Sequence, residues 1–212
     1  MKLIKENFEE GYHENPLYRE ARDSQRNRAR LTLVRRYCAG GRLLEIGCGA
    51  GGFLRAARGA YDIEGMDISR SAVEGIRAEF GERVRVGNLE ADALPEGPYD
   101  VIVAFNILEH LRQPAAAAEK ICAALAPGGL LVGSAPLNAG LVGRVVTRIG
   151  NYFDRTHVST LPPEGWQQVF RAAGFRSSEF FGEVTFGRNR CAYLRGPLWR
   201  QLAFNLMFAC VK

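Results

Sequence analysis

The chain has 212 residues, of which 47% are hydrophobic and 24% charged, and its formal net charge is +5. These values are ordinary for a globular protein, and no repeat or low-complexity tract indicates a fibrous or disordered class. The first residues lack the apolar core of a signal peptide, and no apolar run approaches the roughly 20 residues of a membrane-spanning helix. We therefore expect one domain over residues 1–212, with no integral membrane segment.

The five cysteines are odd in number and widely spaced, and none belongs to a Cys-x-x-Cys pair: they are Cys38, Cys48, Cys122, Cys191 and Cys210. This spacing gives no zinc or redox motif. Reduced thiols, a cytoplasmic location and the absence of a bound metal are the expectations that follow.

Much of the positive charge lies in one arginine-rich segment: Arg19, Arg22, Arg26, Arg28, Arg30, Arg35 and Arg36. Asn15-Pro16 provides a helix start, because asparagine caps well and proline suits the first helical position. A helix from about Pro16 to Tyr37 would place Leu17, Ala21, Leu31, Val34 and Cys38 on its inner face. The arginines then favour a solvated helix face, with an anion or nucleic-acid contact as the alternative.

A short apolar strand from Arg42 breaks into a glycine-rich turn in which Gly47, Gly49 and Gly52 form Gly-x-Gly-x-x-Gly before a helix. Such a turn lets the backbone approach a nucleotide closely, so a nicotinamide-dependent oxidoreductase must be considered. Glu45, however, lies two residues before Gly47, where its carboxylate would repel a pyrophosphate and attract a cationic ligand. A sulfonium-bearing methyl donor fits that charge better.

The segment Leu-Glu-Ile-Gly-Cys-Gly-Ala-Gly at residues 44–51 resembles the first motif of the class I S-adenosylmethionine-dependent methyltransferases. Four further landmarks follow in that family's order: Glu64 to Ser69, Gly87 to Glu90, Tyr99 to Leu111, and Leu125 to Val132. The resemblance implies an α/β fold with a Rossmann-like seven-stranded sheet, mostly parallel, with helices on both faces and an antiparallel last strand. It also implies an N-terminal cap (1–38), a cofactor-binding core (39–135), a helical lid insert (136–162) and a C-terminal part of the sheet (163–212).

The resemblance implies S-adenosyl-L-methionine as the cofactor and assigns its contacts to four places. The expected residues are Glu45, Gly47, Cys48 and Gly49 in the first motif, Asp67 and Ile68 at the ribose, Asn88 and Leu89 at the adenine, and Asn106 after the fourth strand. Many relatives have aspartate where Asn88 stands, although an amide oxygen can also accept from the adenine amino group. The N-terminal segment is expected to bring Tyr12, Tyr18 or an arginine near the methionyl carboxylate.

Two histidines are candidates for the base that takes the acceptor's proton, because imidazole titrates near neutral pH. His110 follows the fourth-strand motif, and His157 lies in Asp-Arg-Thr-His-Val, which resembles a stretch of small-molecule and sugar-directed methyltransferases. Asp154 is the expected orienting partner of His157. The structural alternatives are a histidine that organises the loop after the fourth strand and a hydrogen-bonded turn that seats the lid.

The insert after the fifth strand contains apolar residues at helical spacing: Leu141, Val142, Val145, Val146 and Ile149. Arg144 and Arg148 share the opposite face. An amphipathic helix here is expected to roof the pocket, either as a moving lid or as an ordinary packed helix, and a membrane-surface role is a third option.

The remaining pattern predicts a helix from Pro163 to Ala173, a strand from Phe175 to Glu183, a short helix after Gly196-Pro197 and an antiparallel strand from Leu206 to Val211. One continuous helix is the alternative for the last two elements.

The expected activity is methyl transfer to a hydroxyl or amine of a small molecule, such as a sugar or a secondary metabolite. Methylation of nucleic-acid bases is not expected, because the fourth strand ends in Asn-Ile-Leu-Glu-His and lacks the Asn/Asp-Pro-Pro-aromatic motif. Two alternatives remain open: a non-catalytic S-adenosylmethionine-binding partner subunit and a nicotinamide-dependent oxidoreductase. The sequence leaves the oligomeric state undetermined.

Overall fold

A computed structural model of the chain describes residues 25–153, 156–186, 190–196 and 198–212. The elements below belong to this described part. The predicted helix start at Pro16, the tyrosines Tyr12 and Tyr18, and the expected orienting residue Asp154 lie outside it.

The strands form one mixed sheet. They are β1 (Arg42–Ile46), β2 (Asp62–Asp67), β3 (Val84–Val86), β4 (Tyr99–Phe105), β5 (Leu125–Pro136), β6 (Ser177–Phe186), β7 (Arg190–Leu194) and β8 (Asn205–Val211). Their order is β3-β2-β1-β4-β5-β8-β6-β7. The first five strands are parallel, β8 lies antiparallel between β5 and β6, and β7 is antiparallel to β6. The mostly parallel sheet with an antiparallel last strand is confirmed.

Helices cover both faces of this sheet. They are α1 (Gln25–Arg35), α2 (Gly52–Ala57), α3 (Arg70–Phe80), α4 (Pro114–Ala124), α5 (Leu141–Phe153), α6 (Pro163–Ala172) and α7 (Trp199–Leu202). Local chemistry explains where two of these helices begin. At α3 the Ser69 hydroxyl accepts from the Ala72 N–H at 3.2 Å, and at α4 Pro114 occupies the first turn.

Two hydrophobic cores lie on opposite sides of the sheet because successive strand residues point to opposite faces. Leu43 and Leu44, both fully buried, belong to different cores. Helices α1, α2 and α3 cover one core, and α4, α6 and α7 cover the other. Each fully buried leucine or phenylalanine contributes about 1.5–3 kcal/mol, so these cores supply the main stabilisation of the fold.

The arginine-rich helix α1 is held to the sheet by a buried ionic cluster as well as by Leu33 and Val34. Arg26 forms an ion pair with Glu183, a fully buried carboxylate that also accepts from Asn205 Nδ2 at 3.1 Å. Burial alone would raise the pKa of Glu183, but the nearby guanidinium groups of Arg30 and Arg26 hold that pKa below its ordinary value. The expectation that the arginines form only a solvated face is therefore wrong for these two positions.

Helix α5 confirms the helical spacing of the insert but not the predicted direction of its apolar face. Over residues 141–152, where burial is described, Gly143 and Thr147 are the buried residues, and the Thr147 hydroxyl donates to the Leu137 carbonyl at 3.0 Å. Leu141 and Tyr152 are 76% and 77% exposed. The helix packs through small residues because a Cβ at Gly143 would lie 2.6 Å from the Leu137 carbonyl oxygen. Its aliphatic side chains consequently point outward.

Among the described residues, no helix combines the length and the apolar character that a membrane crossing requires.

The C-terminal third adds one strand to the seven predicted. Arg190–Leu194 pairs with β6 at the sheet edge, and its short, partly exposed sequence lacks the alternation that marks a strand. The antiparallel last strand and the short helix before it are confirmed, and the continuous-helix alternative is wrong.

Close packing between strands predicts a matched pair of glycine variants with opposite effects. A Cβ at Gly133 in β5 would lie 2.4 Å from both the Ala104 carbonyl oxygen and the Phe208 ring. We expect Gly133→Ala to lower the free energy of unfolding by about 1–3 kcal/mol through overpacking. Gly75→Ala, at an exposed α3 position with nothing within 4 Å, should raise it by about 0.5–1 kcal/mol. Urea unfolding measures both; equal midpoints would contradict the packing at β5.

Candidate active site

The turn after β1 adopts backbone conformations that favour glycine. Gly47, Gly49 and Gly51 have φ angles of 77°, 47° and 74°. A Cβ at Gly47 would lie 2.0 Å from Ile107 Cδ1, so this position requires a glycine because of the neighbouring strand end as well. The turn thereby leaves an open backbone surface at the carboxyl end of β1, where ligands bind in open α/β sheets.

Asp67 lies at the end of β2 and is nearly buried, with 8% of its surface exposed. One carboxylate oxygen accepts from the Gly49 N–H at 2.7 Å and the other from the Ser69 N–H at 2.8 Å. These bonds fix the carboxylate beside the glycine turn. Ile68, between Asp67 and the helix cap, is partly buried.

Glu45 and Arg30 are both buried, and their opposite charges influence each other beside the same turn. Burial raises the pKa of Glu45 well above its ordinary value, the Arg30 charge opposes this shift, and the Asp67 charge adds to it. Glu45 Oε2 and Arg30 Nε and Nη2 are buried without a hydrogen-bond partner among the described residues. The methionyl part of the cofactor carries an ammonium, which would donate to Glu45, and a carboxylate, which would accept from Arg30. The residues present therefore fit S-adenosylmethionine.

The predicted adenine residues have different environments. Asn88 Oδ1 accepts from the Glu90 N–H at 2.9 Å, so the amide oxygen stabilises a local turn and retains one lone pair for a ligand. Leu89 is 4% exposed and packs in the core, which leaves its backbone as the part available to a cofactor. Burial likewise raises the pKa of the Cys48 thiol well above its ordinary value, so Cys48 lines the turn as an unreactive side chain.

Asn106, the residue directly after β4, has a φ of 55°, a backbone conformation that is uncommon for residues other than glycine. Its side-chain oxygen accepts from the Ser134 hydroxyl at 2.8 Å, and its N–H donates to the Ser134 carbonyl at 2.9 Å. These two hydrogen bonds to Ser134 of β5 fix the sharp turn that places Ile107 against Gly47. The glycine turn and the loop after β4 are thereby brought into contact.

The two predicted bases lie together. The ring centroids of His110 and His157 are 4.8 Å apart. Two backbone bonds explain this proximity, because the N–H groups of Val158 and Ser159 donate to the Glu109 carbonyl at 3.0 and 2.9 Å. The sequence predicted both histidines separately, but it contains no signal that they share one place.

Each histidine is oriented by a hydrogen bond at Nδ1. His157 Nδ1 lies 2.8 Å from Asn151 Oδ1, and Asn151 Nδ2 donates to the Thr160 hydroxyl at 3.4 Å. The amide oxygen therefore faces the ring, so His157 Nδ1 carries the proton of this hydrogen bond. His110 Nδ1 lies 2.8 Å from the Thr156 hydroxyl. Asn151 thus orients His157 at Nδ1, whereas Asp154, the orienting partner expected from the sequence, lies outside the described residues.

Glu109, fully buried, completes a cluster with the histidines. Glu109, His110 and His157 each offer one ligand atom, and these three atoms lie within 4.8 Å of one another. Sequence reasoning overlooked Glu109, Asn151 and Arg30. The only available signals were the adjacency of Glu109 to His110 and the arginine count before β1.

The buried Glu45 predicts a pH-dependent affinity for S-adenosylmethionine. A bound ammonium would favour the carboxylate and lower its raised pKa, so binding should release a proton. The dissociation constant should therefore fall as the pH rises and become constant above the pKa of Glu45 in the free protein. Calorimetric titrations in buffers of different ionisation enthalpy, between about pH 5 and pH 8, measure both effects.

Glu45→Gln should remove the proton release and weaken binding at least about tenfold, since the amide cannot form the charge pair. Glu79→Gln, on the outer surface of α3, is the matched control. A Glu45→Gln protein with unchanged affinity and pH profile would mean that this carboxylate does not contact the cofactor.

Comparison with known proteins places the chain in one family. The profile of the methyltransferase domain family matches residues 18–178. A Mycolicibacterium smegmatis protein, provisionally named an S-adenosylmethionine-dependent methyltransferase, is 37% identical over 101 residues, which cover 47% of this chain and 39% of that one. The ubiquinone biosynthesis O-methyltransferase of Paraburkholderia phytofirmans is 30% identical over 183 residues, covering 82% of this chain and 75% of that protein.

Solved structures agree on the fold. A methyltransferase from Thermotoga maritima, described as a candidate histamine N-methyltransferase, has a TM-score of 0.74 at 18% identity, with 100% of both chains covered. These matches decide against the oxidoreductase alternative for the glycine turn. The chain belongs to the methyltransferase domain family and is an S-adenosylmethionine-dependent methyltransferase.

Proposed function

We propose that the protein transfers the methyl group of S-adenosylmethionine to a hydroxyl oxygen of a small molecule, and that the acceptor binds at His110 and His157. The observation that carries this proposal is the meeting of the two histidines, 4.8 Å apart, after β4. His110 follows Ile107, which packs on the glycine turn, and His157 contacts His110, which supports a position at the same edge of the sheet as the proposed cofactor contacts.

The cofactor supplies a methyl group on a sulfonium, which becomes a neutral thioether after an in-line displacement. The protein must hold the acceptor in line and deal with its proton. Alignment alone can remove roughly 7–11 kcal/mol of the barrier, and a positioned base adds about two to four powers of ten. We propose Glu45, Gly47, Cys48, Gly49, Asp67, Ile68, Asn88, Leu89 and Asn106, together with Arg30, as the residues that hold the cofactor.

Oxygen is favoured over nitrogen as the acceptor atom for two reasons. Hydroxyls retain their proton at neutral pH, so they gain most from a positioned imidazole such as that of His157, whose ring is oriented by Asn151. The Paraburkholderia relative is named as an O-methyltransferase. An amine acceptor remains the alternative within the same site.

The proposed domain organisation is one methyltransferase domain over residues 1–212, in which the insert 136–162 forms the acceptor side of the site. Asn151 and His157 both come from this insert. We also propose a reducing, cytoplasmic location, since the five cysteines are free. A nucleic-acid acceptor is not proposed, because the arginines Arg26 and Arg30 are used inside the fold.

Removal of either histidine should slow methyl transfer without affecting the cofactor. We expect His157→Ala and His110→Ala to lower kcat at least about a hundredfold, because the acceptor proton loses its receiving group. Release of S-adenosylhomocysteine measures turnover on paired acceptors, such as catechol and o-phenylenediamine, and calorimetry measures cofactor affinity.

Asn151→Ala should lower kcat less and shift its pH profile, because His157 would lose its fixed tautomer. His13→Ala is the control, since it changes the third histidine of the chain. Full turnover in both site variants would refute the histidine site. Cofactor binding with no turnover on any acceptor would favour the partner-subunit alternative.

A further inference from the structure

We propose that Glu109, His110 and His157 form a binding site for a divalent transition-metal ion. Their three ligand atoms lie within 4.8 Å of one another. Two imidazoles and one carboxylate are a donor set that binds Fe²⁺, Co²⁺, Ni²⁺ or Zn²⁺ and leaves coordination positions open for a substrate. The methyl donor does not require such an ion, so the site adds to the family activity.

The distances bring all three side chains close to a position that one ion could occupy. Metal–ligand bonds to nitrogen and carboxylate oxygen are about 2.0–2.2 Å, so neighbouring ligand atoms of one ion lie about 3.0–3.5 Å apart. The widest pair of ligand atoms in the cluster, which lie within 4.8 Å of one another, must therefore close by about 1–2 Å when the ion binds. His157 belongs to residues 156–162, which form neither helix nor strand, and this segment can supply that adjustment.

The surroundings of the histidines match those of metal ligands. A ligating histidine nearly always bonds a protein group through its other ring nitrogen, which fixes the ring and its tautomer. His157 and His110 do this through Asn151 and Thr156, both at 2.8 Å. The Glu109 carboxyl group is fully buried, and a bound cation would favour its ionised form there, because attraction between opposite charges is strong away from water.

This inference rests on the proposed function for its role in catalysis. An acceptor with two adjacent oxygen donors, a vicinal diol or a catechol, would occupy the open positions. The ion would lower the pKa of one hydroxyl, whose proton passes to water, and that oxygen then forms the bond to the methyl carbon as the carbon–sulfur bond breaks. In the metal-loaded protein the histidines then act as ligands, in place of the proton-accepting role proposed above for the metal-free site, and no redox change occurs.

Cobalt titration of the metal-stripped, full-length protein tests the site directly. We expect one Co²⁺ per chain, with the visible absorption of a nitrogen- and oxygen-ligated ion, and at least tenfold weaker binding in His110→Ala and His157→Ala. His13→Ala should bind cobalt as the parent does. Glu109→Gln is titrated with cobalt in the same way. Circular dichroism and S-adenosylmethionine titration check that this variant is folded.

The outcomes separate this inference from the proposed function. A folded, cofactor-binding protein that takes up no Co²⁺, Zn²⁺ or Fe²⁺ overturns the metal site, even if the histidine variants lose turnover. Metal-stripped protein that methylates catechol at the full rate overturns the catalytic role of the ion. Stoichiometric cobalt binding without turnover on any hydroxyl acceptor leaves the metal site standing and rejects the proposed function.

A separate observation, the outward apolar face of α5, carries a second inference. We infer that this face docks on the surface of an anionic phospholipid membrane. Leu141, Val145, Val146, Ile149 and Tyr152 are 41–77% exposed, and they lie along one side of the helix. Leu198 and Leu202, on or next to the adjacent helix α7, are 64% and 54% exposed.

The charges of α5 select a lipid surface as the occupant. Its charged residues are Arg144 and Arg148, both exposed, and the sequence Leu141–Phe153 has no acidic residue. Helical spacing places Arg148 at the edge of the apolar stripe and Arg144 next to it, so the expectation that they share the opposite face is wrong. From there long cationic side chains reach lipid phosphates while the stripe enters the interface. A helix of 13 residues lies in the interface and is too short to cross it.

Vesicle co-sedimentation tests this docking. We expect binding to phosphatidylcholine vesicles that contain phosphatidylglycerol, and at least tenfold weaker binding for Val145→Glu/Ile149→Glu and for Arg144→Glu/Arg148→Glu. Arg70→Glu, at the exposed start of α3, is the control. Vesicle binding that the α5 variants do not change overturns the inference. A dimer seen by light scattering, which the same variants dissolve and which binds no vesicles, overturns it as well.

Discussion

The active site depends on the register of three parallel strands, β2, β1 and β4, which end at the same edge of the sheet. Ile46 of β1 pairs with Met66 on one side and with Ala104 on the other. The chain therefore leaves all three strands at the same edge of the sheet, and the glycine turn, Asp67 and Asn106 meet there. A shift of one residue would turn every side chain of a strand to the opposite face and would separate these groups.

Buried charge is the second determinant of this protein. Arg30 lies over the Phe105 ring at 4.2 Å, close to Glu45 and Glu183, so one guanidinium serves both the attachment of α1 and the proposed methionyl subsite. Burial lowers the pKa of Arg30, and the neighbouring Arg26 adds to this effect. A charge that holds a helix in place while facing a ligand couples cofactor binding to the position of that helix.

The histidine cluster joins two parts of the chain that are far apart in sequence. The Glu109 carbonyl accepts from Val158 and Ser159, and its carboxyl group belongs to the cluster, so one residue both anchors the insert and contributes to the site. The same insert also contains α5, whose exposed apolar side chains face outward. The acceptor site and the proposed lipid surface therefore belong to one segment, which would favour acceptors that reside in or near a membrane.

The sequence by itself determined the alternation of strands and helices, the glycine turn and the carboxylate at the end of β2. Those features depend on local backbone conformation and on hydrophobic period, both of which a single segment expresses. It also identified both histidines by type. Tertiary structure alone decided that Arg30 is buried, that α5 faces outward and that His110 meets His157. These results depend on packing and on hydrogen bonds between distant segments, such as the one from Val158 to Glu109, for which no local pattern exists.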